Sequence, residues 1–200
     1  HCVTGNCAEQ PLEPYECCTL CDVYLHNAES FEDFMQTLKV AFMYGKTVTL
    51  LPLEGWPESN AVMQRNRRIG TSLSGVADFV DNYSLPKLRD WLDSGFDEIK
   101  RLDRVYSEWL CVRESIRTNT IKPGGTTGVV AGTSPGAHWT PGGKFFIRRV
   151  TFDKNDPIVR HFKDANYTVE ESYYTPESSV VVEFPIKSGA KRSETEVSIF

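Results

Sequence analysis

SLPKLRDWLDSGFDEIKRLDRVYSEWLCVRE, residues 84–114, is the most regular stretch of the chain. Leu85, Leu88, Leu92, Phe96, Ile99, Leu102, Tyr106 and Trp109 recur every three or four residues, with charges between them. That spacing predicts an amphipathic helix with one face turned to a core. Pro86 falls in the first turn, where a missing N–H does no harm. Gly95 is a weak point rather than a break, costing about 1 kcal/mol relative to Ala. Cys111, near the end of the stretch, reads as a small buried apolar residue.

Upstream the pattern is also helical. Ser30 followed by Asp33 resembles a capping box, and Phe31, Phe34, Met35, Leu38, Ala41 and Phe42 continue at helical spacing to Gly45. Thr47–Leu53 is a short β-branched apolar run closed by Gly55 and Pro57. Ser59 caps an expected second helix over about 60–81, with Val62, Ile69, Leu73, Val76 and Val80 as its seam. The arginines at 65, 67 and 68 read as solvated or ion-paired. Before these helices, Pro11 and Pro14 leave room for loops around one short strand, Cys17–Tyr24.

Downstream the period changes. Residues 116–121 alternate like a strand and run into Lys122-Pro123-Gly124-Gly125-Thr126-Thr127, followed by a short helix-like stretch, Thr127–Ala131. Phe145–Phe152 reads as a strand, Pro157–Ala165 as a short helix, Ser179–Ile186 as a strand, and Lys187–Thr195 as a mobile polar tail. Helices followed by strands with a helix between them define an α/β unit. Its parts are 1–22, 30–115 and 116–200, within one domain.

The chain has 200 residues, 22 Lys plus Arg and 27 Asp plus Glu, for a formal net charge of −5. This balance excludes a generic cationic nucleic-acid binder. No apolar run approaches the roughly 20 residues of a membrane helix, and no signal-peptide layout marks secretion, so the expected location is cytoplasmic and away from membranes.

Five of the six cysteines (Cys2, Cys7, Cys17, Cys18 and Cys21) lie in the first 21 residues. Such crowding points to redox chemistry or metal binding rather than a disulfide scaffold. Cys7 and Glu9 place a thiol and a carboxylate two residues apart, a pair suited to a sulfur-centred step with a general base. Cys18 and Cys21 form a C-x-x-C, open to a dithiol role or to zinc held with Cys2 and Cys17 in an interaction module. The two glycines after Lys122 allow either a phosphate cradle of backbone amides or a plain turn at a strand end. His26, His138 and His161 share no spacing and read as loop or surface residues.

Taken in order, several segments resemble the catalytic subunit of a ribonucleotide reductase, best the adenosylcobalamin-dependent class II type that reduces triphosphates. They are Asn6-Cys7-Ala8-Glu9-Gln10-Pro11-Leu12, Tyr15–Leu20, Lys46–Pro52, Trp56–Asn60, Asn66–Gly70, Lys122–Thr126, Ser134–His138 and Phe146–Val150. A class I or class III reductase is the neighbouring alternative. The resemblance implies part of a ten-stranded α/β barrel with a central finger loop. It implies that Cys7 becomes a thiyl radical and takes the ribose 3′-hydrogen, and that Glu9 takes the 3′-hydroxyl proton. Cys18 corresponds to one of two cysteines oxidised to a disulfide as water leaves, and Asn6 to a substrate-binding position. Pro123, Gly124, Gly125, Thr126 and Thr127 correspond to the loop whose amides hold the substrate phosphates. The implied partners are a ribonucleoside triphosphate, a thioredoxin-like or dithiol reductant, deoxynucleotide effectors bound elsewhere, and the remainder of the reductase chain. The partner of Cys18 is expected outside this chain, so the isolated chain is expected not to turn over. The family usually carries Asn two residues before the radical cysteine; here Gly5 stands there.

Overall fold

The computed structural model describes residues 3–5, 7–142 and 144–198. The long amphipathic stretch is a helix over Leu85–Trp109 (α4); the Ser84 side chain accepts the Lys87 amide at its start. Residues Phe31–Val48 form the second long helix (α1), capped by Ser30, which accepts the Asp33 amide. Phe31 and Phe34 meet Trp91, Phe42 stacks on Tyr106, and Phe79 tilts against Trp91. Gly95 is a point of close approach between the helices, since a Cβ there would lie 2.8 Å from Leu38 Cδ1. The glycine that weakens α4 locally is what lets α1 approach it.

Beneath these helices, Thr19–Tyr24 (β3) pairs in parallel with Ile69–Ser74 (β4), Cys21 opposite Thr71 and Leu20 opposite Gly70. Two-residue strands Val3–Thr4 (β1) and Pro11–Leu12 (β2) form an antiparallel hairpin ahead of β3. Residues 116–121 run along β4 as an irregular third strand. The Arg117 and Thr118 carbonyls accept from the Ile69 and Thr71 amides, and Thr71 bridges Asn119 in parallel.

The expected helix over 60–81 is instead three elements: Pro57–Asn66 (α2), β4 and Val76–Asn82 (α3). Arg67, in the left-handed region at φ 47°, ends α2, and Gly75, at φ 79°, opens α3. Ile69 and Leu73 still face the core, but at strand spacing. The run expected after Gly45 continues α1 to Val48 and then turns. Cys111 is exposed, not buried, and sits at φ 52° just past the end of α4.

Further on come Thr127–Ala131 (α5), Phe145–Asp153 (β5), Pro157–Asp164 (α6), Val169–Glu171 (β6) and Ser179–Lys187 (β7). The last three strands make an antiparallel sheet in the order β5-β7-β6, with Phe152, Phe162, Tyr167 and Phe184 clustered against it. The tail after β7 is anchored rather than mobile. Asp81 accepts the Lys191 and Arg192 amides at 2.8 and 3.0 Å and the Arg192 Nε at 2.7 Å, and Ala190 is buried.

The described strands thus form three small sheets within a mixed α/β fold, with no closed barrel among the described residues. No helix among them is long and apolar enough to cross a membrane.

Candidate active site on the polar face of the parallel strands

Side chains alternate across a strand, so β3 and β4 present two faces. Cys21, Val23 and Ile69 turn to α1 and α4. Leu20, Asp22, Gly70, Ser72 and Ser74 occupy the other face, where the hairpin and the glycine loop lie.

The hairpin closes through Gly5 N–H donating to Gln10 O at 2.9 Å and Ala8 N–H donating to Gly5 O at 2.9 Å. Ala8, at φ 57°, makes the reversal. The loop presents Cys7 to solvent as a free thiol. Its backbone amide donates to Glu9 Oε2 at 3.1 Å, so the carboxylate folds back over the loop. A Cβ at position 5 would lie 2.6 Å from Glu9 Oε1. The glycine that departs from the family pattern therefore makes room for this carboxylate. Asn6 and Cys2 lie outside the described residues.

The Glu9 charge also acts on Cys18. Burial pushes the half-buried Cys18 thiol up to about 12, and the Glu9 charge adds to that shift. Gln10 Nε2 donates to the Cys18 sulfur at 2.9 Å. The hairpin is fixed from below, because the Thr120 hydroxyl donates to the Glu9 carbonyl. A Cβ on Gly70 would meet Gln10 Nε2 and Leu20 Cδ2 at 2.5 Å each, so any larger residue would have to displace the side chains on which the hairpin rests. On its far side, Glu16 is buried and accepts from Arg68 Nε at 2.8 Å and Asn66 Nδ2 at 3.0 Å, while Arg65 pairs with Glu13. Arg65 and Arg68 are therefore ion-paired clamps for the segment that carries Cys17 and Cys18, whereas Arg67, half-buried and without an ion pair among the described residues, donates to the Thr49 carbonyl.

The glycine loop follows the third strand. Gly124 and Gly136, at φ 63° and 49°, pack back to back; a Cβ on Gly124 would lie 2.7 Å from the Gly136 nitrogen. Lys122 Nζ donates to Asp22 at 2.9 Å and to the Thr127 hydroxyl at 3.0 Å, and that hydroxyl donates to Asp22 at 2.6 Å. The loop is thus tied to β3, the strand that Cys18 leads into. Gly125 has open space around its Cα. The amides of Gly125, Thr126 and Thr127 are engaged by none of the hydrogen bonds of this loop. Asp22 and Gln10 are the parts that sequence reasoning misses. Gln10 is one unmarked member of the Asn6–Leu12 motif and Asp22 lies in none of the motifs, so neither is singled out by its sequence surroundings.

Cys17 is exposed, Cys18 sits beside Gln10, and Cys21 is buried on the helix-facing side, bonded to the Thr71 hydroxyl at 3.6 Å. The three do not converge. Among the described residues no group of three or more His, Cys, Asp or Glu side chains is placed to hold a metal ion. Zinc therefore gains no support from the geometry. His26, His138 and His161 are all exposed.

A free thiol and a folded-back carboxylate thus share one hairpin, with the half-buried Cys18 and the glycine loop joined to the strand on which it sits. The fold that carries them has a counterpart in a solved class II ribonucleotide reductase. The crystal structure of a B12-dependent (class II) ribonucleotide reductase superposes with a TM-score of 0.77 and 29% identity, over 93% of this chain and 29% of that one. Adenosylcobalamin-dependent ribonucleoside-triphosphate reductase from Euglena gracilis is 44% identical over 186 residues, 92% of this chain and 25% of the enzyme. The enzyme of that name from Lactobacillus gasseri is 31% identical over 98% of this chain and 29% of its own length. No family model matches the chain. The chain is a homologue of class II ribonucleotide reductases, and it spans about a quarter of the length of these relatives.

Proposed function

We propose that this chain is the part of an adenosylcobalamin-dependent ribonucleoside-triphosphate reductase that supplies the reacting thiol, its carboxylate partner and one redox cysteine. The observation that carries the reading is the hairpin itself: an exposed Cys7 thiol whose backbone amide holds the Glu9 carboxylate, with Cys18 under the same charge. In this reading β3, β4 and the strand at 116–121 are part of a ten-stranded barrel, and the hairpin is its finger loop. Their parallel register and the hairpin's seat on the polar face support it.

Cys7 takes the ribose 3′-hydrogen as a thiyl radical, and Glu9 accepts the 3′-hydroxyl proton. The 2′-hydroxyl then leaves as water, and after the two-electron reduction Cys7 returns the hydrogen to C3′ and is again the radical. Two electrons come from Cys18 and a second thiol outside this chain, which close to a disulfide; a dithiol or thioredoxin-like protein restores them. Asn6 contacts the sugar, and the Pro123–Thr127 loop holds the phosphates on its unengaged amides, with Lys122 neutralised by Asp22 rather than aimed at the ligand. Deoxynucleotide effectors act through regions outside this chain.

The residues present fit a radical delivered by adenosylcobalamin: the thiol is open at the hairpin tip, and a cobalt held in its own macrocycle needs no cluster of protein ligands. When bound, that cofactor supplies a carbon-centred radical by cobalt–carbon homolysis. The protein's share is to position the thiol and to place the base.

The test combines this chain with the remainder of the reductase, adenosylcobalamin, a dithiol and a ribonucleoside triphosphate. Deoxynucleotide formation with a cobalamin-dependent radical signal in electron paramagnetic resonance is expected. Reduction that proceeds without cobalamin contradicts the class assignment.

A further inference from the structure

Gln10 is 1% exposed and sits where the hairpin, β3 and β4 meet. Its Nε2 donates to the Cys18 sulfur at 2.9 Å, while its Oε1 has no partner. Gly70 leaves just enough space for this side chain, so its orientation is set by the walls around it. Leaving a buried amide oxygen unpaired is costly, and an apolar side chain of the same size would fill the space without that cost. Packing alone does not account for a glutamine here.

The charged and titratable groups facing Cys18 are Glu9 on the hairpin, Glu16 on the segment leading to β3, Arg68 before β4, and Cys21 on β3. The two carboxylates disfavour a thiolate at Cys18. Arg68 favours one, but its charge is shared with Glu16 at 2.8 Å. The Gln10 amide is the donor aimed at the sulfur itself.

We propose that Gln10 is a positioning residue for Cys18: its side-chain amide holds the sulfur under the hairpin and favours the thiolate over the thiol there. The thiolate is the form that attacks and leaves in thiol–disulfide exchange. The meaning of this device for turnover rests on the reading of Cys18 as a redox cysteine; the bond itself does not.

The test is the rate of Cys18 alkylation by iodoacetamide from about pH 7 to about pH 9.5, resolved by peptide mass spectrometry. Exposed Cys17 serves as the internal reference and buried Cys21 as the monitor of folding. With Gln10→Met, Cys18 is expected to react about three- to tenfold more slowly relative to Cys17 at each pH. Gln10→Glu, which sets another carboxylate at the sulfur, is expected to slow it further. A packing role gives the opposite sign, because a loosened hairpin exposes Cys18 and speeds its reaction. An unchanged or faster Cys18 in a variant that still protects Cys21 overturns the proposal. Exposure of Cys21 in both variants assigns Gln10 to packing and overturns it equally. Undiminished nucleotide reduction by Cys18→Ser enzyme would remove the redox reading while leaving the alkylation result standing, so the two failures are distinguishable.

Discussion

The two faces of the β3–β4 pair are held by different physics. On the helix side, Val23, Ile69, Phe34, Leu38, Phe42 and Leu102 are buried together, and aromatic rings interlock around Trp91. The other face carries Leu20, Asp22, Gly70 and Ser72, and everything seated on it is fixed by hydrogen bonds and close backbone approach. The hairpin hangs on Thr120, the Cys17–Cys18 segment on Arg68 and Asn66, and the glycine loop on Asp22. The apolar face supplies stability that tolerates some repacking. The polar face supplies position, and loses it abruptly when one partner goes.

One polar knot breaks this division and gives the largest expected effect on stability. Lys46 is fully buried at the end of α1, bonded at 2.8 Å to Asp103 of α4 and at 3.0 Å to Ser115 and the Arg113 carbonyl. Burial pulls the Lys46 amine below its ordinary value, and Asp103 opposes that shift. Asp103→Ala leaves this cation without its carboxylate and is expected to cost about 3–5 kcal/mol in chemical denaturation. A loss below about 1 kcal/mol would mean the ion pair is not what joins α1 to α4.

Gly70→Ala tests the other face. The added methyl collides with Gln10, Leu20 and Thr120, and the expected cost is about 1–3 kcal/mol. The helix-side core should be undisturbed, which near-ultraviolet circular dichroism of the Trp91 cluster can check, while Cys18 becomes more open to alkylation. A spectral change at Trp91 of the same size would show that the two faces are not independent.

Asp81→Asn weakens the anchor of the tail and is expected to cost about 1 kcal/mol. Burial raises the Asp81 carboxyl, but bonds from Arg192, Lys191 and Trp139 outweigh it and leave the group below its ordinary value. Its contribution is therefore present above the ordinary value of 3.8 and lost as the pH falls through the lower folded value. Stability of the variant measured against pH should run flatter than that of the parent in this acidic window.

The remaining effect is alkaline. Cys18 goes from an ordinary 9.0 to about 12 on folding, so the folded protein holds this proton more tightly. The stabilisation is complete below the ordinary value and disappears as the pH rises through the folded one. Cys18→Ser should reduce the loss of stability seen on raising the pH above about 9. An identical alkaline profile would place the thiol in a less buried setting.

The same division explains what could be read from the sequence. The helices α1 and α4 are legible because one face of each is buried, which imposes a 3.6-residue period on Phe31–Phe42 and Leu85–Trp109. Strand β4 is hidden because Ile69 and Leu73 continue the apolar seam of the neighbouring helices. Its strand character comes from pairing with β3, whose partner residues lie 50 positions earlier in sequence, and from the left-handed Arg67 and Gly75 that isolate it. The tail after β7 reads as mobile because its anchor, Asp81, lies on α3 and looks like a solvated acid. Cys7, Glu9 and Cys18 are spaced too ordinarily to stand out, and only the order of motifs along the whole chain singles them out. Gln10 has no pattern at all, because its role exists only where three elements converge.

Substitution of Cys7 in the assembled reductase tests the central claim most directly. With adenosylcobalamin, a dithiol and a ribonucleoside triphosphate, Cys7→Ser should form no deoxynucleotide above background while keeping its fold, since an exposed residue at a hairpin tip carries no core packing. Turnover by Cys7→Ser at the rate of the parent enzyme would contradict the account.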